Sequence, residues 1–249
     1  MIIVSLLFTL TAGAQTVNIH LKSGEVVKYD SSVFDYIDFS ATGPEIPVTY
    51  TGCPDSNHPH MIDLGLPSGT KWACCNVGSS APEQYGNYYA WGETSPKSVY
   101  NWSTYRWGSN YYELTKYCTK DSYGTVDNKT ELDASDDAAT ANWGAPWRMP
   151  SRTQIQELLN SCTSTWTSQN GVNGRKFVGP NGGTIFLPAA GGRLIDWLYG
   201  AGSHGYFWSS PLVESDPGHA YFLHFDSGDA YWDYGYRAHG HTVRPVREN

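Results

Sequence analysis

The chain has 249 residues and a formal charge of −8, with charged residues at 16% and aromatics at 14%, including ten Trp and eighteen Tyr. That negative balance excludes a phosphate-backbone partner, because nucleic-acid binders need a positive footprint. The aromatic excess is more than one core uses, so part of it is expected outside as contact surface.

Residues 1–14, MIIVSLLFTLTAGA, form a short apolar run ending in Ala12, Gly13 and Ala14, the small residues a signal peptidase accepts. The run is too short to cross a bilayer, so an exported protein with no membrane span in the mature chain is expected. No Lys or Arg precedes the run, which is atypical of a signal. The alternative, a buried strand or helix, is disfavoured by the abrupt change to strand alternation that follows. No Cys follows Ala14, so no lipid anchor is indicated. About 235 residues remain, enough for one full-sized domain and a small appendage.

Residues 15–40 alternate at Val17, Ile19 and Leu21, turn at Ser23-Gly24 and resume at Val26, which predicts a β-hairpin. A lone hairpin is marginal in water and needs a docking surface. Residues 41–60 carry four prolines and no period, the mark of a linker. From Met61 to Asn249 the chain is dense in Gly, Trp and turn signals. One helix is expected near Ala134 to Gly144, with Asp136 and Asp137 in its first turn. A second follows Ser151, which with Gln154 makes a capping box ahead of Ile155, Leu158 and Leu159. KFV and TIFL flank Gly179-Pro180-Asn181-Gly182-Gly183 as a hairpin, and YFWSS, HAYFLHF, DAYWDY and HTVRPV read as short strands. Early helices and late strands point to an α+β fold.

Cys53, Cys74, Cys75, Cys118 and Cys162 are too few for a disulfide scaffold and show no CxxC spacing, so buried free thiols with at most one bridge are expected, and no zinc. A bond between the neighbours Cys74 and Cys75 would be strained.

Six segments then come together: LPSGTKWACCNVG (66–78), YGNYYAWGE (85–93), DDAATANWGAPWRMPSRTQIQELL (136–159), IFLPAAGGR (185–193), GYFWSS (205–210) and GHTVRPVRE (240–248). In this order they resemble the Fibrobacter succinogenes major paralogous domain family of exported bacterial proteins, over most of residues 61–249. The opening QTVNIHLKSGEVVKYD also resembles the leader of such proteins from gut Bacteroidetes. The resemblance implies a C-type-lectin-like fold, shared with formylglycine-generating enzymes and with the variable proteins of diversity-generating retroelements. In those variable proteins, positions in the C-terminal segment are diversified for ligand binding on a fixed scaffold. Adenine-directed change of Asn codons yields Tyr, His, Asp, Ser, Gly, Ala, Leu, Val and Phe, but not readily Lys, Gln, Met or Glu. From Gly182 to Glu248 there is no Lys, Asn, Gln or Met, and five of the eight His lie between Leu194 and His241. Ordinary drift in an aromatic-rich strand region gives the same composition, so the codons decide.

Matched to the family, Trp208, Ser209, Ser210, Tyr221, Leu223, Phe225, Gly228, Arg237, Gly240, Val243 and Val246 are framework. Period-2 alternation through HAYFLHF then turns Phe222 and His224 outward. The expected ligand-binding set is Tyr199, His204, Leu212, Val213, His219, Phe222, His224, Asp229, Tyr231, Asp233, Tyr234, Tyr236, Ala238 and His239. Rigid Tyr area with adaptable Asp and His hydrogen bonding is the chemistry of antibody loops, and it suits a protein or glycan ligand. A structural or fimbrial assembly subunit docked through the hairpin is the alternative.

Catalysis is not expected. The resemblance implies that a formylglycine-generating activity needs a cysteine pair in the C-terminal part of the domain, and no Cys follows Cys162. No G-x-S-x-G, HExxH or phosphate loop is present, and no cofactor is indicated. His239-Gly240-His241 with His219 and His224 has loose spacing and no carboxylate cluster to complete a metal site. Asp136 and Asp137 would suit the Ca²⁺ sites of many lectin folds, yet a charged first helical turn explains them without an ion.

Overall fold

The computed structural model describes residues 16–20, 26–30 and 59–247. The signal-like run, the hairpin turn and most of the Pro-rich segment lie outside these residues. The chain divides into two compact units, 1–46 and 47–249. In the first, β1 (Thr16–His20) pairs antiparallel with β2 (Val26–Asp30), from Thr16 opposite Asp30 to His20 opposite Val26, the pairing that the alternation predicts.

The second unit is mixed α+β, with two helices and small, mostly antiparallel sheets. Strands β3 (Met61–Asp63) and β4 (Lys71–Ala73) are completed by β13 (Val246–Arg247), which ties the two ends of the unit together. Helix α1 (Ala138–Trp143) starts later than expected. Asp137 is its N-cap, accepting from the Ala139 and Thr140 amides, and so stands before the first turn. Helix α2 (Arg152–Ser161) has the expected capping box, with Ser151 accepting from the Gln154 amide and the Gln154 side chain accepting from the Ser151 amide. Strands β5 (Thr163–Gln169), β6 (Val172–Val178) and β7 (Thr184–Pro188) make a meander, of which β5 was not foreseen.

A short hairpin, β8 (Gly192–Leu194) and β9 (Trp197–Tyr199), precedes the sheet β10 (Gly205–Leu212), β11 (His219–Phe225) and β12 (Ala230–Tyr236), in that spatial order. At Gly205 a Cβ would sit 2.2 Å from the Phe225 ring, so only glycine lets β10 start there.

Central strand β11 is covered on both faces. Leu223 and Phe225 join Ile155 and Leu158 of α2, Phe177, Leu187 and Phe207 in one core. Ala220 and Phe222 join Trp91, Tyr117, Met149, Trp208, Leu212 and Val243 in a second. Two buried arginines fasten the irregular loops. Arg237 donates to the carbonyls of Lys116, Tyr117 and Pro217 and to the Tyr105 hydroxyl, and Arg244 donates to Asn76 and the carbonyls of Ala73, Cys74 and Pro82. Among the described residues Cys75, Cys118 and Cys162 are free thiols. Among the described residues no helix is long and apolar enough to cross a membrane.

Candidate ligand-binding face

Strand pleating decides which residues of the expected set meet. On β12, Tyr231 and Asp233 share one face, while Trp232, Tyr234 and Tyr236 share the other. Register places Tyr206 opposite His224 and His224 opposite Tyr231, so these three rings form a row across the sheet. Ring centroids are 4.9 Å apart at both steps. His204 stacks beside the row, 5.5 Å from His224 and 6.1 Å from Tyr206, and its Nδ1 lies 3.3 Å from His224 Nε2. Tyr199, from β9, packs 5.5 Å from Tyr206 and meets His241 Nε2 with its hydroxyl at 3.3 Å. The turn Asp226-Ser227-Gly228-Asp229 closes the row at one end.

Three residues of the expected set, His219, Tyr234 and Tyr236, lie on the opposite face. There Tyr234 and Tyr236 are exposed and His219 is half-buried, stacked on Tyr236 at 4.6 Å. Tyr111 and Trp102, from the loop region after β4, pack edge-on against Tyr236. His219 is held by Asp216 at 2.9 Å and by the Tyr111 hydroxyl. His239 lies between the groups, near both Tyr236 and His241.

Five expected residues are not outward. Leu212 and Phe222 belong to the second core, Ala238 is fully buried against Tyr88, Tyr100 and Tyr105, and Val213 is buried. His224 is 6% exposed beneath its neighbours. For Phe222 and His224 the cause is the central place of β11: period-2 alternation separates two faces, but does not say that both are covered. Tyr206 and His241 belong to the face and were missed. Alternation within YFWSS puts Tyr206 on the side of the framework residue Trp208, which reads as inward, so it gives no signal for the face. His241 lies in an irregular segment with no alternation to read.

Burial holds the imidazoles neutral. His224 is pushed below its ordinary pKa by burial and by His204, His239 is pushed down to about 4 by burial and His219, and His241 is held well below its ordinary value by burial, His239 and His224. Asp226 is lowered, because its carboxylate accepts the Asp229 and Gly228 amides, and it stays ionised at neutral pH. The carboxylates considered for Ca²⁺ are already engaged: Asp137 caps α1 and accepts from the Met149 amide, and Asp136 takes Lys116 at 2.5 Å and the Tyr117 hydroxyl. Among the described residues no three His, Cys, Asp or Glu are gathered as a metal would need.

Beside the face, Leu194, Ile195 and Trp197 of the β8–β9 hairpin are exposed. Ile195 has φ +57°, a strained value for a β-branched residue, and two backbone hydrogen bonds with Tyr100 hold it there. A separate open cleft of about 500 Å³ is lined by Thr119, Lys120, Asn128, Thr130, Glu214, Ser215 and Tyr221. Its Thr119 and Lys120 side chains are spent on the carbonyls of Glu214 and Ser215, so it offers less free chemistry than the row. Comparison of the chain with family models, curated proteins and solved structures finds no match.

Proposed function

We propose that this is an exported, non-enzymatic binding protein whose second unit is a C-type-lectin-like domain of the major paralogous kind, and that it takes a protein or glycan on the face built from Tyr199, His204, Tyr206, Tyr231 and Asp233, with Asp229 at the rim. One observation carries the reading. Side chains suited to recognition stand in a row across three strands, beside the buried Phe207, Trp208, Phe222, Leu223 and Phe225 of β10 and β11, so the row can change while that scaffold is kept. Tyr supplies rigid amphipathic area, and Asp and His supply adaptable hydrogen bonds. The absence of any thiol after Cys162 supports a binding role over a formylglycine-generating one.

If the family's diversification operates here, Tyr199, His204, Tyr231 and Asp233 are the positions it would vary. A near-copy of the final coding segment in the adjacent DNA, differing at those codons, would support this, and codons without adenine at them would count against it.

The direct test is a protein and glycan array probed with the full chain and with a Tyr199→Ser, Tyr231→Ser, Asp233→Ser variant, with thermal melts of both. The expected result is loss of binding with little change in melting. Binding that survives the variant, or maps to the hairpin β1–β2, overturns the reading.

A further inference from the structure

Elsewhere in this protein, several aromatic faces are capped by its own cations. Arg152 lies 3.8 Å from the centroid of Trp232 and 4.7 Å from that of Tyr221 on the opposite side of the sheet, Lys116 covers Trp107 and Tyr117, and Arg237 covers Trp91. Several carboxylates are likewise matched: Asp63 with Lys71, Glu93 with Lys97, and Asp133 and Asp136 with Lys116. The candidate face has neither kind of pairing. Asp226 and Asp229 lie in the turn that leads into β12 and Asp233 shares the β12 face of Tyr231, and among the described residues none of the three meets a Lys or Arg side chain through its carboxylate. Arg175 donates to the main-chain carbonyl of Asp226. Tyr199, Tyr206 and Tyr231 carry no cation over their rings among the described residues.

A second, independent feature lies in the floor of the site. His224 is 6% exposed, is packed between Tyr206 and Tyr231, and has an Nδ1 without a hydrogen-bond partner among the described residues. A buried polar atom with no partner carries a cost that a ligand can remove. When His224 donates its Nε2–H to His204 Nδ1, its own Nδ1 is a bare lone pair, the acceptor that an N–H donor requires.

Resting on the binding-face reading above, we infer that the occupant of this face is a protein segment presenting a lysine or arginine side chain, held over Tyr206 and Tyr231, facing Asp226, Asp229 and Asp233, and donating to His224 Nδ1. Rings flanked by carboxylates attract a cation through both the ring quadrupole and simple charge. Arginine fits best, since its planar fork stacks on a ring while its N–H groups reach carboxylates. A neutral His224, kept so by burial, favours this occupant, whereas protonating it would place like charge against the cation.

The test uses the full chain and labelled peptides of equal length: hexa-arginine, hexaglutamate and a neutral Gly-Ser peptide. The isosteric variant Asp226→Asn, Asp229→Asn, Asp233→Asn keeps the carbonyl oxygens that accept the turn amides, so the fold is retained. A control variant, Asp121→Asn, Glu131→Gln, Glu214→Gln, removes the same formal charge elsewhere on the surface. Hexa-arginine should bind wild type and the control alike, bind the face variant more weakly by about tenfold or more, and weaken as salt rises. Equal weakening in both variants means bulk charge alone and overturns the inference, as does preference for hexaglutamate or no binding of hexa-arginine at all. An array partner lost with Tyr199 and Tyr231 but indifferent to the three Asp→Asn changes overturns the cationic inference while leaving the face reading intact. If no bound probe responds to any substitution on the face, both fall.

Discussion

Phe222 and Tyr231 look alike in the sequence, two aromatics expected on the same outward surface, but the structure gives them opposite energetics. Phe222 is 5% exposed and touches Trp208 at 5.6 Å and His241 at 4.8 Å between centroids. Across the sheet lies Gly235, where a Cβ would stand 3.0 Å from the Phe222 ring, so no side chain there can move in to fill the space. Phe222→Ala is therefore expected to leave an unfilled cavity and to cost about 3–5 kcal/mol. Tyr231 is 43% exposed, and its main contact is the single ring pair with His224. Tyr231→Ala removes about 0.5–1.5 kcal/mol, the worth of one aromatic pair. For a unit of this size each kcal/mol moves the melting temperature by about 2–4 °C, so shifts of about 6–20 °C and about 1–6 °C are expected. Thermal melts of the full chain, followed by near-ultraviolet circular dichroism, read both. Similar small shifts for the two variants would refute the assignment of Phe222 to the core, and with it the covered central strand.

Arg237→Ala should prevent accumulation of soluble protein, because three main-chain carbonyls and the Tyr105 hydroxyl lose their donor together, each at about 1–3 kcal/mol; Arg237→Lys, lacking the planar fork, should be nearly as harmful. Soluble yield and limited proteolysis check this, and a normal yield for the Ala variant would contradict it. Ser151→Ala should lower stability by about 0.5–2 kcal/mol through loss of the α2 cap, measured by urea unfolding. Leu158→Ala, at a fully buried position of the first core, should cost about 2–5 kcal/mol in the same assay. Acid should destabilise the fold through its histidines. The folded pKa values of His224, His239 and His241 lie below the unfolded value of about 6.5, so their neutral forms are tolerated without loss above that pH, and stability falls as pH drops from there toward about 4. Asp137, whose pKa burial raises, works in the opposite direction and moderates the loss. A melting temperature unchanged between neutral pH and the acid limit would contradict the buried histidine cluster.

What could be read from sequence, and what could not, follows from how local each cause is. The α2 capping box needs only Ser151 and Gln154 three residues apart, and the β6–β7 hairpin needs only its Gly-rich turn, so both were legible. Strand β5, TSTWTSQ, alternates Thr and Ser around one Trp and offers no apolar stripe to count, although Thr is at home on a pleated strand. The start of α1 was misplaced because two adjacent aspartates cannot be told apart by charge, and only the capping geometry shows that Asp137 ends the turn while Asp136 is engaged with Lys116 and Tyr117. On edge strand β12 the expected Tyr231, Tyr234 and Tyr236 are exposed, Tyr231 on one face and the other two on the opposite face, because an edge strand leaves both faces partly open. Phe222, Leu212 and Ala238 are buried by segments far away in the chain, residues 77–149 and 243, whose arrival over the sheet leaves no local trace.

The most direct test of the binding face is hydrogen exchange on the full chain, free and saturated with the partner that the array identifies. Protection is expected at residues 197–206, at 224 and across 226–233, with the opposite-face positions Tyr234 and Tyr236 and the loop at 102–123 unchanged. Protection confined to the aromatic group around Tyr111, Tyr112 and Tyr236, or to strands β1 and β2, would contradict the account.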